Sequence, residues 1–205
     1  MRKLILSSLL LCAALSFTGC PKPDQPPGTG GTTGTSGTGG STGTGGTGGT
    51  GGTTGGELVA RTTIEARSGS AISGSATFTQ VGSEVRVVVE VKGATPGEHG
   101  LHVHEVGDCS APDAKSAGNH FNPGNQAHGS PSADPHHGGD FGNITVGPDG
   151  SARLELALAG LTVASGPSSV VGRSLVLHEK PDDLRTQPSG NSGNRIGCGV
   201  IQLKQ

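Results

Sequence analysis

Between residues 58 and 203 the apolar side chains recur at every second position, not at every third or fourth. The alternation is clearest in ATFTQV (76–81), EVRVVVEV (84–91) and ARLELAL (152–158). A period of two places successive side chains on opposite faces of an extended strand, so it predicts β-strands and disfavours amphipathic helices. Further segments of this kind lie at 58–66, 100–106, 142–146, 173–179 and 198–203.

Turn-forming segments follow several of these strands. GATPGEHG, GPDG and ASGPSS are rich in Gly and Pro, which end strands and form turns. No segment shows a convincing helical period. About eight short strands separated by such turns predict an all-β fold, an antiparallel β-sandwich or barrel.

The first 20 residues have the layout of a secretory signal peptide. Two basic residues precede an apolar run, and small residues precede Cys20. The run is too short and interrupted for a membrane-spanning helix. FTGC also resembles the cleavage motif of a bacterial lipoprotein, which would make Cys20 the lipid-bearing first residue of the mature chain. Phe17 is untypical of that motif, and an ordinary secreted protein cleaved nearby is the alternative.

Residues 21–56 form a predicted linker, Pro-rich at first and then built only from Gly, Thr and Ser over 28–56. Such a segment has no apolar side chains to offset the entropy of ordering, so it predicts disorder. Its expected end-to-end span is roughly 30 Å. A tether that holds a domain away from a membrane is the functional interpretation, and neutral low-complexity sequence is the alternative.

Residues 57–205 therefore form the predicted domain, which is long enough to bury its own core. It has 11 Lys and Arg against 15 Asp and Glu, a formal net charge of −4, and neither Trp nor Tyr. No basic patch or base-stacking surface is evident, so the composition predicts no nucleic-acid partner.

Only two cysteines, Cys109 and Cys198, belong to this domain. In an exported domain two cysteines predict a disulfide, and two buried free thiols are the alternative. The bond would close a loop of about 90 residues, worth about 4–5 kcal/mol on the chain-entropy model.

Two long segments, 107–139 and 180–197, interrupt the succession of strands. Loops of this length are uncommon in compact domains unless they are functional. They lie next to or contain most of the domain's histidines, which are His99, His102, His104, His120, His128, His136, His137 and His178.

The spacing of these histidines predicts two metal sites. His102 and His104 lie two apart in GLHVHE and would point the same way from one strand, where His178 from another strand could join them. Four imidazoles suit Cu(II). The first loop has four further histidines, His120, His128, His136 and His137, and Asp140 follows it, a donor set that suits zinc. For the pair in GLHVHE alone, a solvated strand edge is the alternative.

Five stretches, GLHVHEVGDC, SAGNHFNP, HHGGDFGN, LVLHEKPDD and GNRIGCGVI, occur in an order and spacing that resemble a known family. Over residues 57–205 the domain resembles the copper–zinc superoxide dismutases, in the form that bacteria export. The resemblance implies an eight-stranded antiparallel Greek-key β-sandwich or barrel with two long functional loops.

The resemblance also implies a role for each matching residue. Copper would be bound by His102, His104, His120 and His178, and zinc by His120, His128, His137 and Asp140. His120 would bridge the metals, and His137 fits the motif's spacing better than His136. His99 would support structure, and Asp182 would hydrogen-bond one ligand of each metal. Arg195 would guide the anionic substrate, and the family's disulfide would join Cys109 and Cys198.

The implied activity is dismutation of superoxide to dioxygen and hydrogen peroxide by a copper redox cycle beside zinc, which would protect the cell envelope. The resemblance implies export to the periplasm, with the outer membrane favoured because Pro21 and not an aspartate follows Cys20. The sequence does not distinguish between a monomer and a homodimer. A copper-buffering module and a structural domain on a lipid tether are the alternative functions.

Overall fold

The computed structural model describes residues 57–205. The predicted signal peptide (1–20), its Cys20 and the linker (21–56) lie outside the described residues. The described part contains nine strands: β1 Val59–Ala66, β2 Ser73–Val81, β3 Glu84–Lys92, β4 Gly97–His104, β5 Asp140–Val146, β6 Ser151–Ala159, β7 Ser174–His178, β8 Arg195–Val200 and β9 Gln202–Leu203.

The strands form one antiparallel sheet in the order β5-β4-β7-β8-β1-β2-β3-β6, with the two-residue β9 paired to β1. β5 packs beside β6, so the sheet curls into a nearly closed barrel. β3 pairs with β6 and β4 with β7, which are crossovers between strands distant in sequence. The predicted all-β, eight-stranded antiparallel fold is confirmed, with β9 as a short addition.

The apolar residues that alternate along the sequence are the ones that alternate as buried side chains in the structure. On β3, Val85, Val87, Val89 and Val91 are buried, while the charged residues between them face solvent. The core also contains Phe78 and Phe141, whose ring centroids lie 6.4 Å apart. At about 1.5–3 kcal/mol for each fully buried large apolar side chain, this core is the main stabilising term of the barrel.

β4 and β7 differ from this pattern because they are buried on both faces. Six consecutive residues of β4, from His99 to His104, are buried, and so are all five of β7. One face points into the core, and the two long loops cover the other. These loops, 105–139 and 179–194, lie between β4 and β5 and between β7 and β8.

Several strand boundaries differ from the sequence prediction: β2, for example, begins at Ser73 and not at residue 76. β4 begins at Gly97, inside a segment predicted as a turn, because Gly97 pairs with Val146 of β5 and this pairing extends the strand. The predicted last strand, 198–203, is two strands instead: β8 begins at Arg195, and a break at Ile201 separates it from β9. Within residues 57–205 the only helical segment is a 3-10 turn, Lys115–Ala117, and no helix there is long and apolar enough to cross a membrane.

The disulfide predicted from the sequence joins Cys109 in the first loop to Cys198 on β8. Both residues are buried, together with Ala114, Ala117 and Val176. The bond therefore fixes the start of the first loop against the sheet.

Candidate metal centre

Three histidines of the centre come from two neighbouring strands. His102 and His104 lie two residues apart on β4, so their rings point to the same face. β7 pairs antiparallel with β4 and ends at His178, whose ring centroid lies 4.7 Å from that of His102. None of the three is more than 3% exposed. Strand pairing alone thus places three imidazoles together.

His120 joins them from the first loop. His104 and His120 form an isolated antiparallel bridge, and the Phe121 N–H donates to the Val103 carbonyl at 2.8 Å. The His120 ring centroid then lies 4.0 Å from that of His102 and 5.0 Å from that of His104. One ring nitrogen from each of the four histidines, including His178, lies within 4.8 Å of the others.

A second group of donors shares His120 and is completed by His128, His137 and Asp140, again within 4.8 Å of one another. Asp140 is the first residue of β5 and is fully buried. Its Oδ1 lies 2.8 Å from His120 Nδ1, and its Oδ2 accepts from the backbone N–H groups of His137 (2.9 Å) and Gly129 (3.1 Å). The carboxylate therefore orders the first loop around itself.

The remaining two histidines of the domain lie outside both groups. His136 places Nδ1 2.8 Å from the carbonyl of His137. His99 is buried, with Nδ1 2.8 Å from the carbonyl of His178 and Nε2 2.8 Å from that of Thr95. His99 thus links β4 to the end of β7 through the backbone.

Asp182 connects the two groups. Its Oδ2 accepts from His102 Nε2 at 2.8 Å and its Oδ1 from His128 Nε2 at 2.9 Å. Asn143 holds the aspartate through two backbone hydrogen bonds: Asn143 Nδ2 donates to the Asp182 carbonyl (2.9 Å), and the Asp182 N–H donates to Asn143 Oδ1 (2.7 Å). Gly190 packs so closely that a Cβ there would overlap the Asp182 carboxylate.

Hydrogen bonds on the far sides of the rings decide which nitrogens are free to bind a metal. Carboxylate and carbonyl oxygens only accept, so in a neutral ring the nitrogen that they contact has the hydrogen and the opposite nitrogen has the lone pair. Asp182 contacts Nε2 of His102 and of His128, and the Gly118 carbonyl contacts Nδ1 of His104 at 3.0 Å. The lone pairs of His102 and His128 are therefore at Nδ1, and that of His104 is at Nε2.

Four buried ring nitrogens among the described residues have no hydrogen-bond partner: His102 Nδ1, His120 Nε2, His128 Nδ1 and His137 Nδ1. His128 Nδ1 and His137 Nδ1 lie 3.0 and 3.2 Å from Asp140 oxygens, but neither contact has the direction of a hydrogen bond. Leaving a buried polar atom unpaired costs about 1–3 kcal/mol, and a cation bound by these lone pairs removes that cost. The donors present therefore fit two metal ions that share His120.

Burial sets the protonation of the group on β4 and β7. It lowers the pKa of His102 to about 4, although the hydrogen bond that His102 donates to Asp182 acts in the opposite direction. Burial, with the neighbouring imidazoles, holds the pKa values of His104 and His178 well below the usual range. These rings are neutral at pH 7 and offer lone pairs without first losing a proton.

In the second group, the carboxylates of Asp140 and Asp182 counteract the effect of burial on the pKa values. Burial opposes the shift, but the hydrogen bond from His120 and the close contact with His128 hold the pKa of Asp140 far below its usual range, and hydrogen bonds from His102 and His128 do the same for Asp182. For His128, burial is outweighed by the close carboxylate of Asp140 and by the hydrogen bond to Asp182, which raise its pKa to about 9. Burial lowers the pKa of His137.

Comparison with known proteins agrees with this geometry. The family model described as Copper/zinc superoxide dismutase (SODC) matches residues 72–201, which is more than half of the chain and includes both donor groups. The chain belongs to the copper/zinc superoxide dismutase family. The predicted activity, dismutation of superoxide, and the predicted cofactors, copper and zinc, are thereby confirmed.

Individual relatives cover the same domain. The chain is 45% identical over 142 residues to the Superoxide dismutase (Cu-Zn) of Deinococcus radiodurans, covering 64% of this chain and 78% of the relative. It is 40% identical over 141 residues to the Extracellular superoxide dismutase (Cu-Zn) of Brugia pahangi, covering 64% and 70%. The crystal structure of the clock protein EA4 has a TM-score of 0.65 and 39% identity, over 70% of this chain and 93% of that one.

As in a superoxide dismutase with an accessible metal centre, an open cleft of about 590 Å³ leads to His104, His120 and His178. Arg195, at the start of β8, lines this cleft. Its guanidinium donates to the carbonyls of Ala114 (2.8 Å) and Gly118 (2.7 Å), and burial lowers its pKa. Within residues 57–205 no carboxylate forms an ion pair with it, so its charge is available to an anion. A second cleft, of about 610 Å³ beside Arg61 and the disulfide, contains no histidine.

Sequence reasoning missed two residues that position these donors. One is Asn143, which holds Asp182. The other is Gln187, which clamps the backbone of His128: the His128 N–H donates to Gln187 Oε1 (2.8 Å), and Gln187 Nε2 donates to the His128 carbonyl (2.9 Å). Both contacts join residues far apart in sequence, so no local pattern indicates them.

Proposed function

We propose that this superoxide dismutase binds copper through His102 Nδ1 and through Nε2 of the three histidines His104, His120 and His178. Zinc is bound by Nδ1 of His120, His128 and His137 and by Asp140. The proposal rests on one observation above all, that two buried donor groups share His120. Imidazole and carboxylate donors are those that Cu(II) and Zn²⁺ accept.

When bound, copper supplies the electron exchange between two superoxide ions, while zinc has no redox chemistry. The protein's own groups do the remaining work. His120 Nδ1 faces Asp140, and His120 Nε2 faces the first group. With zinc on Nδ1, Nε2 would be the atom that holds the hydrogen whenever Nε2 is not a ligand. Asp182 fixes the rings of His102 and His128 in one orientation.

Arg195 guides the substrate in this proposal. The domain has a formal net charge of −4, which repels superoxide at long range. A guanidinium in the cleft supplies local positive charge and a fixed set of N–H donors for the anion.

Metal stoichiometry of paired histidine variants tests the ligand assignment. We expect His137→Ala to lose zinc and His178→Ala to lose copper, because each removes one of four donors. His136→Ala is the matched control: it changes the adjacent histidine, which lies outside both groups, and should retain both metals. Metal content, measured by mass spectrometry after loading and dialysis, tests which residues bind each metal. Full zinc in His137→Ala would overturn the assignment.

We also propose that the protein is exported, is anchored to the bacterial outer membrane through a lipid on Cys20, and removes superoxide at the cell envelope. The basic-apolar-small pattern of residues 1–20 supports export, and residues 21–56 would serve as the tether. One relative is described as extracellular, which is compatible with export.

Fractionation of cells that produce the full chain tests the anchor. We expect the wild-type protein in the outer-membrane fraction and Cys20→Ser in the soluble fraction, with equal dismutase activity per molecule. Cys12→Ser is the control, since it changes a cysteine inside the predicted signal. An identical distribution of wild type and Cys20→Ser would show that no lipid is attached there.

A further inference from the structure

The hydroxyl of Ser192, in the second loop, lies behind the ring of His178. Ser192 Oγ is 3.0 Å from His178 Nδ1 and 3.0 Å from the carbonyl oxygen of Ser189. Ser192 is 2% exposed, so water does not compete for these contacts. No sequence motif indicates this residue.

The two contacts fix the direction of the hydrogen bonds. The Ser189 carbonyl only accepts, so the hydroxyl of Ser192 donates to it. The lone pair that remains on Oγ then accepts a hydrogen from His178 Nδ1. The Gly193 carbonyl lies 3.4 Å from the same nitrogen and also only accepts. Both neighbours therefore require the hydrogen of His178 at Nδ1.

The opposite nitrogen of this ring faces the donor group. His178 Nε2 lies 3.4 Å from His104 Nε2, which also has its lone pair on that side because the Gly118 carbonyl contacts His104 Nδ1. With its hydrogen at Nδ1, His178 presents a bare Nε2 to the group.

Ser192 is held firmly enough to impose this arrangement. The Lys180 N–H donates to the Ser192 carbonyl at 2.9 Å, and the Gly100 N–H donates to the Lys180 carbonyl at 2.9 Å. Gly100 also leaves the room that Ser192 needs, because a Cβ on Gly100 would lie 2.9 Å from Ser192 Cβ. Backbone bonds to β4 thus set the place of the hydroxyl.

We propose that Ser192 is a positioning residue for copper binding: its hydroxyl fixes the tautomer and the ring orientation of His178. This inference rests on the proposed copper site. A partner that accepts the far N–H of a ligating histidine makes the other nitrogen more basic and holds the ring in place, and its loss typically lowers metal affinity about 10- to 100-fold. Because the Gly193 carbonyl stays in Ser192→Ala, we expect the lower end, about 10-fold.

Two measurements test the proposal on the zinc-loaded protein. Long-range proton–nitrogen NMR of the copper-free form reports the tautomer of His178, which we expect to be Nδ1–H with slow exchange of that hydrogen. In Ser192→Ala this hydrogen should exchange faster. Competition with a copper chelator should show copper affinity about 10-fold lower in the same variant. Ser189→Ala is the matched control, since it removes a hydroxyl from the same loop but keeps the carbonyl, and it should match the wild type.

The outcomes separate this proposal from the assignment of the copper site. If His178→Ala loses copper while Ser192→Ala keeps the wild-type affinity and exchange rate, Ser192 has no positioning role. An Nε2–H tautomer in the wild type overturns the proposal without any variant. If His178→Ala keeps full copper affinity, the copper assignment itself fails. Unchanged zinc content in Ser192→Ala serves as the check on its fold.

Discussion

At the scale of single residues, the two donor groups differ in whether a histidine must lose a proton before a metal ion binds. His102, His104 and His178 have lowered pKa values and are neutral at pH 7. His128, between the carboxylates of Asp140 and Asp182, has its pKa raised to about 9 and is protonated at that pH. In the proposed sites, zinc would therefore displace a proton from His128, whereas copper would displace none from His102, His104 or His178.

This difference predicts the pH dependence of metal affinity. Below a pKa of about 9 the bound proton competes with zinc, so zinc affinity should rise about 10-fold per pH unit between pH 6.5 and 8.5. Copper affinity of the zinc-free protein should change much less over that range, because His102, His104 and His178 are already neutral and His120 can keep its hydrogen at Nδ1, which faces Asp140. Chelator competition at several pH values measures both. Equal slopes for the two metals would contradict the prediction.

At the scale of elements, strands place the first group and loops place the second. The register of β4 against β7 brings together the side chains of His102, His104 and His178. The second group depends on the first loop, whose backbone at Gly129 and His137 donates to Asp140. The order of that loop therefore depends on Asp140 and, in the loaded protein, on the metal that it would bind.

We expect Asp140→Ala to lose zinc and to open the first loop while leaving the barrel folded. The variant removes one donor and the acceptor of two backbone hydrogen bonds. Hydrogen exchange should become faster at residues 119–139 and stay unchanged in β1, β2 and β3. Asp149→Ala, which removes the same charge from the turn between β5 and β6, is the control. Full zinc content in Asp140→Ala would show that the aspartate is not a ligand.

At the scale of the whole molecule, a net negative domain holds an arginine in the cleft that leads to the first donor group. The domain is net negative, yet Arg195 lies in the cleft beside His104, His120 and His178 with no carboxylate ion-paired to it in the described part of the chain. Glu105 also lines this cleft, where its carboxylate accepts hydrogen bonds from Asn119. The attraction of Arg195 then guides the anion over the last few ångströms, where the acidic residues outside the cleft are partly screened.

Arg195→Ala should lower the second-order rate for superoxide at least about 10-fold with both metals retained, since the local positive charge is lost. Salt should slow the wild-type enzyme by screening that charge, and should have less effect on the variant. Pulse-radiolysis rates at several ionic strengths measure both effects. Arg61→Ala, an equal charge change on β1 at a residue that does not line this cleft, is the control. A rate equal to that of wild type would remove Arg195 from the mechanism.

The sequence by itself determined the fold class and which residues are the candidate donors. The period of two on β3 follows from the geometry of an extended strand, and so does the pairing of His102 with His104 on one face. The disulfide between Cys109 and Cys198 was also predictable, because the domain contains two cysteines. These properties are local or compositional, so they can be recognised without coordinates.

Only the tertiary structure decided how those residues are held. β4 begins as early as Gly97 because β5 pairs with it there. The predicted last strand is divided by a break at Ile201. Asn143, Gln187 and Ser192 act on residues brought near them by the folding of the two long loops. A side-chain hydrogen bond depends on position and direction in space, which the order of residues along a loop does not specify.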